Sequence, residues 1–300
     1  MNCPACDAAV DPDARFCESC GALIAQAVAG ANAPADAAAD RRELDLSTYL
    51  GAVSDRGRVH AQNEDAVAVI SGISGTSSIL VVCDGVSTSH DPALGSGVAA
   101  EAAANSLAKS VAAGRDSKEI MWAAVLDAHA AVCDLMPAGT DGSDRPLATI
   151  VAALVRADTA IIGWAGDSRA YLLSSGGKLL TRDDSWVNWV VERGDMTEAQ
   201  AMRAPNAHAI TQCLGDPDEA PDPQVVTTAL TPGEKLLLCS DGLWNYAPTA
   251  AALAAWLAGL PVATPAIGLC RRLVESANSA GGRDNITAVM LIVPGEGPPG

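Results

Sequence analysis

ILVVCDG, Ile79 to Gly85, runs strand-forming residues straight into Asp-Gly. A short apolar run that stops at a turn signal reads as a buried strand. It therefore delivers a carboxylate, together with an unencumbered backbone carbonyl, to the mouth of a sheet. KLLLCSDG, Lys235 to Gly242, repeats the device with Asp241. GGRDNITAVML, Gly281 to Leu291, inverts it, with Asp284 standing just before an apolar strand. Carboxylates gathered at strand ends, with few His in the chain, are the ligand set of hard divalent cations such as Mg²⁺ and Mn²⁺. The three stretches together predict a two-metal site for phosphate chemistry.

Outward from these stretches, the pattern stays rich in strands: YLGAVS (49–54), DAVAVI (65–70), TIVAALV (149–155), AIIGWAG (160–166) and RAYLL (169–173). Helix-like stretches at 97–113 and 117–136 separate the third strand from the fourth. A second helical pair precedes the last strand, with Thr264-Pro265 as N-cap and first turn of its second member. Strands in runs with segregated helices indicate an α+β fold and not alternating βαβ units.

Composition narrows the function. The 300 residues suit one large domain with a small appendage, and a hydrophobic share of 49% fills a core although only one Phe is present. A net charge of −17 argues against nucleic acid and against anionic membranes, because both need clustered Lys and Arg. The start, MNCPACDAAV, lacks the basic and apolar regions of a signal peptide, so a cytoplasmic location is expected.

Four of the nine cysteines, Cys3, Cys6, Cys17 and Cys20, form two Cys-x-x-Cys knuckles. That spacing predicts a tetrahedral structural Zn²⁺ in a ribbon too small to bury a core of its own. The other five are scattered and read as reduced packing residues. The expected division is a zinc ribbon over 1–22, an Ala-rich linker over 23–47, a large domain over 48–294 and a flexible tail over 295–300.

Five motifs then occur in order: SDRGRVHAQNEDA (54–66), VVCDG (81–85), GWAGDSRAYL (163–172), LLLCSDGLWN (236–245) and GGRDNIT (281–287). In combination they resemble the metal-dependent protein serine/threonine phosphatases of type 2C, the PPM family, over roughly 48–293. The resemblance implies a four-layer αββα sandwich, two antiparallel sheets flanked by helices. It implies that Asp84 bridges two Mg²⁺ or Mn²⁺ ions, the Gly85 carbonyl binds one, and Asp241 and Asp284 bind the other. Asp167, with Asp241, would form a weaker third site. Glu64 would hold metal-bound water, with Asp65 supporting that corner. The segment LLTRDDSWVNWVVERGDMTEAQA (179–201) resembles the family's flap. Implied partners are a phosphoprotein, the target of a Ser/Thr kinase, and a protein that docks on the ribbon.

The chain also departs from that pattern. His60 stands where the family places a phosphate-clamping arginine, three residues before Asn-Glu-Asp. Imidazole is a weaker phosphate ligand than guanidinium. Read as strand, 58 and 60 share a face, so Arg58 is either the substitute clamp or a solvated edge charge. Val86-Ser87-Thr88-Ser89 replaces a glycine-rich loop after Gly85, and His90 is either a leaving-group acid or simply exposed. Trp186 and Trp189 are expected to pack one helix face into the core. The two competing functions are an active phosphatase, and a phosphopeptide-binding or regulatory pseudophosphatase with the zinc ribbon as its docking module.

Overall fold

The computed structural model describes residues 40–73, 77–115, 117–136, 145–173 and 177–294. The four paired cysteines, 23–39 and 295–300 lie outside the described residues. Two antiparallel sheets pack face to face. One has the order β1 (Arg41–Ser47), β2 (Leu50–Asp55), β11 (Ile286–Ile292), β10 (Lys235–Cys239), β7 (Arg169–Leu172), β8 (Lys178–Leu179). The other runs β3 (Asp65–Ile73), β4 (Ser77–Gly85), β5 (Ala148–Arg156), β6 (Thr159–Ala165), β9 (Gln224–Ala229).

Helices α1 (Pro92–Ala112) and α2 (Lys118–Cys133) cover the outer face of the second sheet. The short α5 (Asp241–Trp244) joins α6 (Ala250–Leu257) and α7 (Ala266–Ala280) over the first. The flap carries α3 (Trp186–Glu192) and α4 (Glu198–Ala201). The expected sandwich of two antiparallel sheets with flanking helices is therefore what the chain forms.

Side-chain alternation explains the layering, since successive residues of a strand face opposite sides. In β4, Ile79, Val81 and Cys83 meet α1 and α2, whereas Leu80 and Val82 enter the layer between the sheets. In β10, Leu236 and Leu238 enter that same layer, whereas Leu237 and Cys239 face the helices opposite. The strands read as continuous apolar runs because both faces are buried. Ala99, Ala100, Ala103, Ala104 and Ala108 form the inner face of α1 and let it lie close on the sheet, which is how a core with few aromatics is filled.

Three expectations need correction. Ordered structure begins before residue 48, because 41–47 form β1 and pair with β2. Leu44 and Leu46 pack against the inter-sheet core, which draws that segment out of the linker. Thr264 does not cap α7: its hydroxyl turns back to the Pro261 carbonyl (2.6 Å), and Pro265 holds the cap position. Trp189 lies on the solvent side of α3 with Arg193 over its ring, while Val187 and Val190 supply the buried face.

Candidate functional site

At one end of the inter-sheet layer the alternation continues but the chemistry changes. Following Leu80 and Val82, Asp84 takes the next inward position on β4. Following Val69 and Val67, Asp65 does so on β3, and the two are register partners. On the facing sheet, Ser54, Ser240 and Thr287 occupy the equivalent inward positions of β2, the end of β10 and β11. Ser54 and Thr287 share a hydrogen bond of 2.7 Å between their hydroxyls. Ser240 donates to the Asp65 carboxylate across the layer (2.7 Å) and accepts from the Thr287 amide (3.0 Å). A polar floor thus closes the apolar core beneath a row of carboxylates.

Asp241 opens α5 immediately after Ser240; its carboxylate accepts from the Asn245 side chain (3.1 Å) and lies close enough to that of Asp84 for its charge to raise the Asp84 pKa. A carboxyl at the end of β4 and one just past the end of β10, on different sheets, therefore come together. Gly242 lets α5 lie against the 284–285 segment, because a Cβ there would stand 1.9 Å from the Asn285 carbonyl oxygen. Gly85 is confined in the same way, with the Pro92 and Glu64 carbonyl oxygens 2.5 and 2.8 Å from where its Cβ would be.

Burial and mutual repulsion govern the electrostatics. Asp84 is pushed well up, first by burial and then by the charges of Asp65, Asp241, Asp167 and Asp284. Burial likewise raises Asp65 to about 7, Asp167 to about 8 and Asp241 to about 6, with neighbouring carboxylates adding to each. Asp65 Oδ1 is buried without a hydrogen-bond partner. Five carboxylates and an orphaned oxygen demand a cation, and their all-oxygen character fits Mg²⁺ or Mn²⁺. Among the described residues no three such side chains close into a preformed cage.

The loop 56–64 forms one wall. Asn285 pins it, accepting from the Glu64 amide (2.7 Å) and donating to the Arg56 and Gln62 carbonyls (2.8 and 3.0 Å). Glu64 accepts from Ser87 (2.5 Å), so the hydroxyl-rich loop after Gly85 holds this carboxylate from the other side. His60 Nε2 lies 3.2 Å from Asp284 Oδ1. Arg58 is not on a strand beside it: residues 57–59 turn, and Arg58 Nε donates to the Asn278 carbonyl near the end of α7 (2.7 Å). The main-chain amide of His90 bonds to the Arg145 carbonyl (3.1 Å), and its residue is exposed.

Asp84, Asp241, Asp284, Asp167, Asp65, Glu64 and His60 therefore gather at one edge, while the Arg58 Nε is engaged at the Asn278 carbonyl. Sequence reading gave no role to Asn285, Ser240 or Ser87. The Asn285 signal was its place inside the Asp-Asn motif; hydroxyls such as Ser240 carry none until the strands are paired.

Comparison with known proteins agrees with this geometry. The family model for protein phosphatase 2C matches residues 56–266. Protein phosphatase PhpP of Streptococcus pneumoniae is 35% identical over 155 residues, 51% of this chain and 61% of that protein. The chain thus spans about three-fifths of the length of that relative. The serine/threonine phosphatase stp of Listeria welshimeri is 28% identical over 79% of this chain and 93% of its own. Among solved structures, the catalytic domain of the serine/threonine phosphatase PstP in complex with two manganese ions superimposes with a TM-score of 0.61. It is 27% identical over 84% of this chain and 98% of that one.

Proposed function

The chain belongs to the protein phosphatase 2C family, and from that membership we propose that it removes phosphate from phosphoserine and phosphothreonine in proteins. The observation that carries this reading is the meeting of Asp84 and Asp241 from opposite sheets over a buried, partnerless Asp65 oxygen. Asp84 would bridge two Mg²⁺ or Mn²⁺ ions, with the Gly85 carbonyl on one and Asp241 and Asp284 on the other; Asp167 and Asp241 would serve a third. Bound there, the cations would acidify a water and offset the negative charge of the phosphate. The relative that carries two manganese ions supports the pair.

The chain's own residues do the rest. Glu64, fixed by Asn285 and Ser87, orients the attacking water, and Asp65 holds Ser240 and with it the start of α5. We assign the phosphate contact to His60, which reaches over Asp284, because the Arg58 Nε is engaged at Asn278. In-line attack then expels the substrate alkoxide without an enzyme nucleophile. The zinc ribbon at Cys3, Cys6, Cys17 and Cys20, a kinase-linked substrate and a cytoplasmic setting are proposals resting on sequence alone. No helix among the described residues is long and apolar enough to cross a membrane.

The test is hydrolysis of p-nitrophenyl phosphate and of a phosphothreonine peptide with Mn²⁺, Mg²⁺ or EDTA. Metal-dependent turnover that falls at least about 100-fold in Asp84→Asn and Asp241→Asn is expected. A folded, metal-loaded protein without turnover would instead favour the phosphopeptide-binding alternative.

A further inference from the structure

Asp167 sits between β6 and β7, in a turn that no regular ladder bond fixes. Its main-chain carbonyl accepts from the Trp244 indole N–H at 2.9 Å. Trp244 lies on α5, three residues after Asp241, so a single short helix carries one carboxylate and holds the backbone of another. The opposite side of this arrangement is equally defined. The Arg169 guanidinium lies 3.6 Å from the centroid of the Trp244 ring. The same guanidinium grips Asp183 of the flap through two hydrogen bonds, 2.8 Å from Nε and 2.6 Å from Nη2. Its remaining arm reaches the Tyr171 hydroxyl (3.1 Å) and the Pro248 carbonyl (3.3 Å). Both partners of the ion pair are largely buried, with side-chain exposures of 13% and 11%.

We propose that Arg169 and Trp244 form a relay that positions Asp167 for its cation and couples that cation to the order of the flap. The inference rests on the reading of Asp167 as a cation ligand. Its physical basis is rigidity. Arg169 is shared between Trp244 and Asp183, so a shift of the flap that moves Asp183 pulls the guanidinium off the indole. The indole then loses the support that aims its N–H at the Asp167 carbonyl. Linkage is reciprocal: if flap order favours the cation, the cation favours flap order. Arg169 and Trp244 are positioning residues, since neither side chain touches a carboxylate of the cluster: Trp244 meets only the Asp167 main chain, and Arg169 binds Asp183 of the flap.

Lysine cannot replace Arg169 in this role, because it lacks the planar fork that grips Asp183 and stacks on the ring at once. Phenylalanine at 244 keeps an aromatic face beneath Arg169 but loses the N–H together with the ring that carries it. A neutral hydrogen bond of this kind is worth a factor of about two to ten in an equilibrium constant.

The experiment uses the full chain. Mn²⁺ binding is followed by electron paramagnetic resonance of the free ion, and amide hydrogen exchange of residues 179–201 is recorded with and without Mn²⁺. The variants are Asp167→Asn, Arg169→Lys and Trp244→Phe. Asp167→Asn is expected to remove the weakest Mn²⁺ event. Trp244→Phe and Arg169→Lys are expected to weaken that event about three- to tenfold. Both should abolish the Mn²⁺-dependent protection of the flap and leave the tighter events within about twofold. If Asp167→Asn removes the event while both other variants keep wild-type affinity and protection, the relay is overturned and the ligand assignment stands. If Asp167→Asn changes no Mn²⁺ event, the assignment of Asp167 fails and the relay with it. Should Arg169→Lys fold poorly by circular dichroism, Trp244→Phe decides alone.

Discussion

Asn285→Ala isolates the tie between the two halves of the site. Asn285 is 3% exposed and makes three hydrogen bonds to main-chain groups of one loop: from the Glu64 amide, and to the Arg56 and Gln62 carbonyls. Alanine removes all three partners and cannot replace any. The Glu64 amide is then left in a buried position, where an unmatched donor costs about 1–3 kcal/mol. The two carbonyls belong to partly or fully exposed residues and regain water, so each loss is nearer the net value of about 0.5–1 kcal/mol. The sum is about 2–5 kcal/mol. For a domain of this size, 1 kcal/mol moves the thermal midpoint by about 2–4 °C, which predicts a fall of roughly 4 to 20 °C. The assay is thermal unfolding in EDTA, where bound cations cannot mask the change. Because the loop also carries His60 and Glu64, turnover should fall more than stability alone would require at a temperature where both proteins are folded. A midpoint within 2 °C of wild type would refute the reasoning, since it would mean the loop finds its place without Asn285.

Further outcomes follow from the same geometry. Asp65, Asp167 and Asp241 have native values of about 7, 8 and 6 against about 3.9 in an unfolded chain, so the native state binds more protons between about pH 4 and 8. Metal-free protein should therefore lose stability as pH rises from 6 to 8, and Mn²⁺ should restore most at pH 8; a higher midpoint in EDTA at pH 8 than at pH 6 would contradict this. Gly242→Ala, with its Cβ 1.9 Å from the Asn285 carbonyl oxygen, should cost about 1–3 kcal/mol or more in urea unfolding and reduce Mn²⁺ affinity. His60→Arg should lower KM for a phosphothreonine peptide, and an unchanged KM would show that another group already binds the phosphate. Removal of residues 1–39 should leave hydrolysis of p-nitrophenyl phosphate intact. A cut after residue 47 should not, because it strips β1 with Leu44 and Leu46 from the inter-sheet core.

What could be read from the chain alone, and what could not, divides along a physical line. Asp84 and Asp241 were legible because a buried strand is a long apolar run and an Asp-Gly at its end is a local event. Their partnership was supplied by motif order, and the pairing of strands from two sheets then gives it a cause: Asp84 takes the next inward position after Leu80 and Val82, whereas Asp241 opens α5 one residue after the inward Ser240. β1 was missed because RRELDLS buries only one side, and an edge strand with an ion pair from Arg271 to Glu43 looks in sequence like solvated linker. The Thr264 cap was off by one residue because Thr264 has a competing local acceptor at Pro261, which sequence reasoning does not weigh. Arg58 was placed beside His60 by assuming a strand period through residues that turn, and the turn is set by a distant partner, the Gly282 carbonyl that accepts from the Arg58 amide. Asn285, Ser240 and Ser87 mark the same limit from the other side. Each acts by bridging segments more than 20 residues apart, Asn285 to Glu64, Ser240 to Asp65 and Ser87 to Glu64. A local pattern shows where a charge must end up, whereas the hydrogen bonds that hold it there belong to pairs only the assembled sheets bring together.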